Sequence, residues 1–451
     1  MKTVAVIGGG WAGCAAAVEL AGAGHAITVF EAARALGGRA RVVKANLAGR
    51  ERTLDNGQHI MLGAYSATLA MLARVGIARK AAFMTLPMQM RYPAASVASG
   101  AGMDFVAARL PAPFHLAGAL LRAKGLAYDD KLALARFSTT ARWMGWTLHV
   151  DCSVAELLER FDQPPRLIAL LWRPLCLAAL NTPLDQASAR VFLAVLRDSL
   201  GASRGASDML LPTVDLSALF PLAAAGFIEG HGGAVRLGAA VRSLARADTE
   251  APAAGWLVDG ERFDAVVLAV PPPVASSLLR EAGLPELQAT LDAFDYQPIT
   301  TCYLQYDPAQ SLAISLPLPF CALVDDAATG RYGQFVFDRG QLDAADAGLL
   351  AVVISAASAA QALDQGELAA LLAAQLAEAF ALPALAHPLG HRVITDKRAT
   401  FACTPNLLRP ANASGMAGLA LAGDYTAGDY PATLEGAVRS GLAAARLVGG
   451  K

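Results

Sequence analysis

At 451 residues the chain exceeds what one hydrophobic core ordinarily serves, so two or more domains are expected. Hydrophobic residues make up 55% and charged residues 17%, which supplies side chain for buried sheets and an apolar pocket. A formal net charge of -1, with Lys and Arg scattered along the chain, excludes nucleic acid as a partner drawn by the whole molecule's field. The six cysteines (Cys14, Cys152, Cys176, Cys302, Cys321, Cys403) form no C-x-x-C pair and no spacing suited to zinc. They read as reduced thiols of a cytoplasmic protein, and no metal is expected. Met1-Lys2 and the apolar stretch after it look like a signal peptide, but glycines at 8, 9, 10 and 13 break the helix that one needs. No apolar run reaches the ~18–20 residues of a membrane-spanning helix, so any membrane contact is expected to be peripheral.

Val4–Ile7 is a short apolar run of the kind that forms a buried parallel strand. Gly8-x-Gly10-x-x-Gly13 follows, then a small-residue helix from Cys14 to Ala21. Gly8 permits the tight turn, Gly10 lets backbone approach a pyrophosphate, and Gly13 lets the helix pack on the strand. The helix start, with Trp11 and Ala12, turns unpaired N–H groups towards the phosphates. After a turn at Gly22–Gly24, Ile27–Phe30 reads as the second strand. It ends in Glu31, 18 residues beyond Gly13, where an acid accepts hydrogen bonds from ribose hydroxyls. Strand, glycines, helix, strand and acid in register predict a bound dinucleotide.

Leu36-Gly37-Gly38-Arg39-Ala40-Arg41 places two glycines and an arginine directly after that strand, where amides and guanidinium complete a diphosphate clamp. Here the chain resembles the amine oxidase/phytoene desaturase superfamily of FAD enzymes. The resemblance extends to Asp55-Asn56-Gly57-Gln58-His59, which in that superfamily brings backbone towards the flavin. His59 is either flavin-facing or a partly exposed loop histidine. Residues 76 to about 220 read as mostly helical, with Asn181 as a helix-end residue and, next to it, Thr182 as N-cap, Pro183 at N1 and Asp185 at N3 of one helix. Gly232–Leu237 reads as a turn and short strand; the resemblance sets it beside the adenine, with Val241 contacting the base through its backbone. Phe263–Val270 is a further buried strand halted by Pro271–Pro273. Strand-like runs follow at Tyr296–Tyr306, Tyr332–Phe337, Leu349–Ser355 and His391–Thr395. Leu419–Ala422 is the last strand, ended by Gly423-Asp424, and a helix from Thr433 to Val448 carries Glu435-Gly436-Ala437, with Pro431 as a helix-start residue. The resemblance gives the Gly423-Asp424 pair to the phosphate or ribityl chain. It also aims the helix N-terminus at the flavin's pyrimidine edge, where a positive end stabilises the reduced ring.

The expected architecture is α/β: a discontinuous Rossmann-like FAD-binding domain (1–75, 220–290, 400–451) and an α+β substrate domain. The latter joins a helical layer (76–219) to a mixed sheet (291–399). Two departures separate the chain from amine oxidases. The stretch Gln297–Tyr303 lacks the lysine those enzymes bridge to the flavin, and Thr433 stands where many of them place an aromatic cage residue. The words Leu54–Tyr65, Trp172–Thr182, Leu210–Leu216 and Pro431–Gly441 resemble hydroxysqualene dehydroxylases, a flavin family of hopanoid synthesis. That resemblance implies an apolar C30 isoprenoid alcohol as substrate, replacement of C–OH by C–H, non-covalent FAD, and NAD(P)H as a transient reductant. Arg173, inside an apolar helical stretch, either orients the hydroxyl or anchors the FAD domain to the helical layer. Asp429 and Tyr430 either project over the ring or form a surface loop. Five basic residues within 114–142 form either a lipid-facing amphipathic patch or a solvated helical face. The rival readings are a desaturase of carotenoid-like polyenes and a non-catalytic scaffold binding prenyl groups or proteins.

Overall fold

The computed structural model describes residues 1–247, 255–280, 282–310 and 315–450. In chain order, β1 (Thr3–Ile7), α1 (Trp11–Gly22) and β2 (Ala26–Glu31) come first. Helices α2 (Ser66–Arg74), α3 (Phe114–Arg122), α4 (Tyr128–Trp143), α5 (Arg173–Leu180) and α6 (Ala189–Leu196) occupy the next region. The chain then forms β3 (Ala234–Leu237) and β4 (Ala265–Leu268). Next are β5 (Tyr296–Gln305), β6 (Phe320–Ala322), β7 (Phe335–Asp338), β8 (Leu349–Ser355), α7 (Gln365–Phe380) and β9 (Gly390–Phe401). It closes with β10 (Leu419–Leu421) and α8 (Leu434–Gly449).

The first sheet has the order β3-β2-β1-β4-β10 and is parallel throughout. Its inner strands β1 and β4, with β10, are continuous apolar runs buried on both faces, whereas the edge strand β3 is largely exposed. Helix α1 is buried along ten of its residues, small ones for the most part, which lets α8 cross it closely. A Cβ on Gly441 of α8 would stand 2.2 Å from the Ala12 carbonyl oxygen, so this crossing tolerates only glycine. The sheet gathers strands from both ends and the middle of the sequence.

The second sheet has the order β6-β7-β8-β5-β9. Each of its pairings is antiparallel, so the mixture of directions lies between the two sheets and not within this one. β6, β7 and β8 follow one another in the chain and pair as neighbours, as antiparallel strands can without a helical crossover. The period-2 alternation splits its side chains cleanly. Cys302, Leu304 and Val352 pack on Leu368, Leu372 and Leu376 of α7. Tyr303, Val353 and Phe335 share the other core with Leu167, Leu170 and Trp172 of the helical layer.

Two expectations are corrected. Thr182 does not cap a helix: 183–187 is a turn, and α6 starts at Ala189 with the Ser188 hydroxyl accepting from the Val191 N–H at 3.1 Å. The Thr182 hydroxyl is buried, donating to the Leu180 carbonyl (2.8 Å) and accepting from the Cys403 N–H (3.1 Å), so a distant partner has outcompeted local capping. The helical region also carries strands: Phe83–Leu86 pairs with Met209–Pro212, which Met61–Leu62 of the preceding segment flanks on its other side, and Gln89–Arg91 pairs with Asp104–Val106. Asn181 does end α5, in the left-handed conformation at φ 47°. Its side chain donates to the Gln297 carbonyl and Thr400 hydroxyl and accepts from the Ala356 N–H, fastening the helical layer to the second sheet.

Candidate cofactor groove and substrate face

The C-terminal ends of β1, β4 and β10 bring the glycine loop, Pro271–Pro273 and Gly423-Asp424 together, the usual ligand crevice of a parallel sheet. Gly8 has φ +106°, and a Cβ there would meet the Ala269 carbonyl at 2.4 Å. A Cβ on Gly13 would lie 1.9 Å from the Gly8 oxygen, which is the helix-on-strand contact. Gly10 differs: its Cβ would meet nothing within 4 Å, and no side chain caps the N-terminus of α1. That open direction beside uncapped N–H groups fits a pyrophosphate. Trp11 donates its indole N–H to the Ala40 carbonyl (3.2 Å) and packs on Phe220, so it shapes the loop from behind. Glu31 accepts from the Gly9 N–H (2.7 Å) and the Ala33 N–H (2.8 Å), bracing the glycine loop itself. Val241 follows β3 and is partly buried; the residues before it hydrogen-bond to the Glu31 and Ala33 carbonyls.

Gly37 donates its N–H to the Gly9 carbonyl (2.8 Å), so the Gly37-Gly38 turn lies directly against the glycine loop. Arg39 reaches from there to Asp424 (2.6 Å) and the Ala399 carbonyl (2.7 Å), joining the first and last segments of the chain. The neighbouring Asp424 outweighs the partial desolvation of this guanidinium and holds it firmly charged. A cleft of about 270 Å³ opens beside the pair, lined by Pro271, Tyr296, Arg398 and Tyr425 among others. The hydroxyls of Tyr296 and Tyr425 are buried in its wall without a hydrogen-bond partner among the described residues. Arginine, carboxylate and unpaired phenols suit a polar, anionic ligand.

Asp55 to His59 lies between the two sheets, held by a network that sequence reasoning missed. Tyr303 of β5 donates its hydroxyl to the Asp55 carbonyl oxygen (2.7 Å) and accepts from the Gln58 amide (2.8 Å). Arg339 donates to the Gln58 side-chain oxygen (3.3 Å) and to Asp346 (3.3 Å). The Asp55 carboxylate accepts from the Leu216 N–H (2.9 Å); burial nevertheless pushes its pKa up to about 6. Gln58 is therefore fixed from the substrate side, and Gly57 is left with room on one face. His59 hydrogen-bonds the Gly57 carbonyl through Nδ1 (3.0 Å), and burial lowers its pKa, so it is neutral at physiological pH.

At the far end of the groove, Thr433 is the N-cap of α8, accepting from the Gly436 N–H (3.0 Å) and donating to the Tyr430 carbonyl (2.9 Å). Pro431 stands three residues before Leu434, outside the first turn of the helix. The neighbouring Glu435 is wholly buried and accepts from the backbone N–H groups of Ala67 (3.0 Å) and Thr68 (2.8 Å). It thereby caps α2, a second role the sequence did not reveal, since the partner lies 367 residues away. Tyr430 is buried edge-on to Tyr65, under the Arg439 guanidinium; it is not in a surface loop.

Arg173 pairs with Asp325 at 2.6 Å, so it fastens the helical layer to the substrate-side sheet, not to the FAD domain as its anchoring alternative had it. Burial raises the Asp325 pKa even against this arginine. Arg173 and His59, the two candidate catalytic residues, share no hydrogen bond; each is engaged locally.

Residues 11–449 match the family model of flavin containing amine oxidoreductases. The chain is 31% identical to the hydroxysqualene dehydroxylase of Rhodopseudomonas palustris over 455 residues, covering 99% of this chain and 98% of that one. It is 29% identical to the hydroxysqualene dehydroxylase of Sinorhizobium fredii, again covering 99% and 98%. A solved structure of putrescine oxidase superposes with a TM-score of 0.70 across 98% of both chains at 18% identity, a likeness of fold. The groove that the parallel sheet builds from three separated segments thus has its explanation: the chain belongs to the flavin containing amine oxidoreductase family and is an FAD-dependent oxidoreductase.

Proposed function

We propose that the protein reductively removes the hydroxyl of hydroxysqualene, a C30 isoprenoid alcohol, giving squalene and water. Bound FAD, in its reduced form, supplies the hydride for this chemistry. In balance, the C–O bond breaks, a C–H bond forms, a proton joins the leaving oxygen, and two electrons pass from flavin to carbon. NAD(P)H restores the reduced flavin as a transient visitor. The observation that carries the reading is the apolar face that the second sheet turns to the helical layer, where Phe335, Val353 and Leu170 share one buried core and Thr301, in register with Val353, adjoins Gly57. Such a face suits the wall of a site for a long hydrocarbon and would keep water from a carbocation-like carbon. The names of the full-length relatives support the substrate.

Within this reading the domains run 1–75, 220–290 and 400–451 for the cofactor, and 76–219 with 291–399 for the substrate. Gly8, Gly10, Trp11, Ala12 and Gly13 hold the pyrophosphate, Glu31 the ribose, and Val241 the adenine edge. Gly38, Arg39, Gly423 and Asp424 hold the diphosphate and ribityl chain. Gly57, Gln58, His59 and the Thr433 end of α8 frame the flavin ring. His59 spends its Nδ1–H on the Gly57 carbonyl and presents Nε2 as an acceptor, while Arg173 orients the hydroxyl with the raised carboxyl of Asp325 beside it. Helices α3 and α4 expose Phe114 (62%), Leu121 (81%), Tyr128 (78%) and Trp143 (87%) among Arg122, Lys124, Arg136 and Arg142. That combination suits peripheral contact with an anionic bilayer from which a triterpene is drawn. Among the described residues no helix is long and apolar enough to cross a membrane.

The test is anaerobic incubation of the reduced protein with hydroxysqualene and analysis of the products. Squalene is expected. Dehydrogenation of squalene or a carotenoid precursor by the oxidised protein, with no dehydroxylation by the reduced form, would overturn the proposal in favour of a desaturase.

A further inference from the structure

Strand β5 carries its odd-numbered side chains on the face shared with the helical layer. Thr301 sits there, in register with Ile394 of β9 on one side and Val353 of β8 on the other. Val353 is paired in turn with Phe335, and Phe335 with Ala322. The row across the sheet therefore reads Ile394, Thr301, Val353, Phe335, Ala322, with a single polar atom in it. That atom, the Thr301 hydroxyl oxygen, is buried and has no hydrogen-bond partner among the described residues. The neighbouring side chains show how unusual this is: Thr300 on the opposite face bonds the Thr395 hydroxyl (2.9 Å), and Tyr303 has both Asp55 and Gln58. A Cβ added to Gly57 would lie 4.0 Å from the Thr301 oxygen and 3.7 Å from the His59 ring, so the hydroxyl adjoins the Gly57–His59 segment.

We infer that Thr301 is a specificity-determining residue whose hydroxyl pairs with the one hydroxyl of an otherwise hydrocarbon substrate. The inference rests on the substrate proposed above. A buried hydroxyl without a partner is costly, and a valine of the same shape would remove the cost at no loss of packing. One polar atom in an apolar row is matched by a ligand with one polar atom in a long chain. Placed next to Gly57, it sets the alcohol carbon at the segment framing the flavin, and it rejects the product, which has nothing to offer the hydroxyl. Thr301 acts by positioning; it neither gives nor takes a proton in the balance.

The test uses the oxidised FAD-loaded protein, where no turnover occurs, and titrates hydroxysqualene and squalene in detergent by the change in flavin absorbance. Wild type is expected to bind the alcohol roughly 3- to 10-fold more tightly than the alkane, the range of one neutral hydrogen bond. Thr301→Val should bring that ratio to about one while leaving squalene affinity and the FAD spectrum unchanged, and Thr301→Ser should keep most of it. An unchanged ratio in Thr301→Val overturns the inference, because the hydroxyl is then satisfied by solvent, and so does a wild type that shows no preference. Discrimination that depends on Thr301 in a protein that fails to dehydroxylate would instead sink the proposed reaction and leave the binding assignment standing.

Discussion

Replacing Gly10 by alanine separates the cofactor's demand for glycine from the fold's. The backbone at Gly10 has φ -73° and ψ 179°, which any residue adopts, and the new methyl meets no protein atom within 4 Å. The apo-protein should therefore fold as before, gaining up to ~1 kcal/mol from the stiffer unfolded chain. The methyl occupies the space we give to the pyrophosphate, so amide contacts lengthen. Losing one or two charge-assisted hydrogen bonds at ~1.5–3 kcal/mol each weakens FAD by roughly 10- to 10⁴-fold. Gly13→Ala is the control: its methyl would stand 1.9 Å from the Gly8 oxygen, so it should lower the melting temperature of the apo-protein itself. Thermal denaturation of deflavinated protein and FAD titration by quenching of flavin fluorescence give the two quantities. Full FAD affinity in Gly10→Ala would mean that the pyrophosphate does not cross the start of α1.

Glu31→Ala removes the acceptor for the Gly9 and Ala33 N–H groups as well as the proposed ribose contact, and should weaken FAD roughly ten- to a hundredfold, measured by the same titration, with the reaction unaltered. Asp55, with its pKa raised to about 6, makes the folded state hold a proton that the unfolded state has already released. Its contribution is therefore fully favourable below about pH 4 and is lost as pH rises through 6, by at most about 3 kcal/mol. Asp55→Asn keeps an acceptor for the Leu216 N–H, so in urea unfolding its advantage over wild type should grow from pH 5 to pH 7.5; a constant difference counts against this account. Vesicles containing phosphatidylglycerol should sediment the wild type in a salt-sensitive way, and Leu121→Ser/Trp143→Ser should stay in the supernatant with unchanged melting. A wild type that stays in the supernatant too would remove the membrane proposal. Denaturation should release free FAD; yellow colour retained by the precipitate would show a covalent link.

What the sequence revealed, and what it hid, follows from the range of each interaction. The glycine loop, its helix and the strand ending in Glu31 are one contiguous unit in which Gly8 needs a positive φ and Gly13 has no room for a Cβ, so that unit was legible as a fold. Asn181 was legible as a helix end because its left-handed φ is a local property. Thr182 looked like a cap by every local sign, yet its hydroxyl is taken by Cys403 from 221 residues away. The same applies to Glu435, whose composition signal belongs to α8 while its carboxylate serves α2. Gln58 was noticed only as part of a motif; the tyrosine and arginine that hold it come from β5 and the turn after β7. Thr301 carried no signal of its own, because an orphaned hydroxyl exists only once the strands on either side are known.

These distant ties hold together a parallel sheet assembled from separated segments of the chain. Arg39 and Asp424 lie 385 residues apart and face the same cleft, and Glu435 clamps α2 to the helix that crosses α1. Each tie costs loop-closure entropy that no local segment recovers. A ligand spanning the glycine loop, the Arg39–Asp424 pair and the end of α8 would contact all three segments at once. Its binding energy would therefore add directly to the stability of their assembly. Cofactor affinity and fold stability are then coupled: tighter FAD binding raises the stability of the folded chain by mass action, and loosening any one of the three segments weakens FAD.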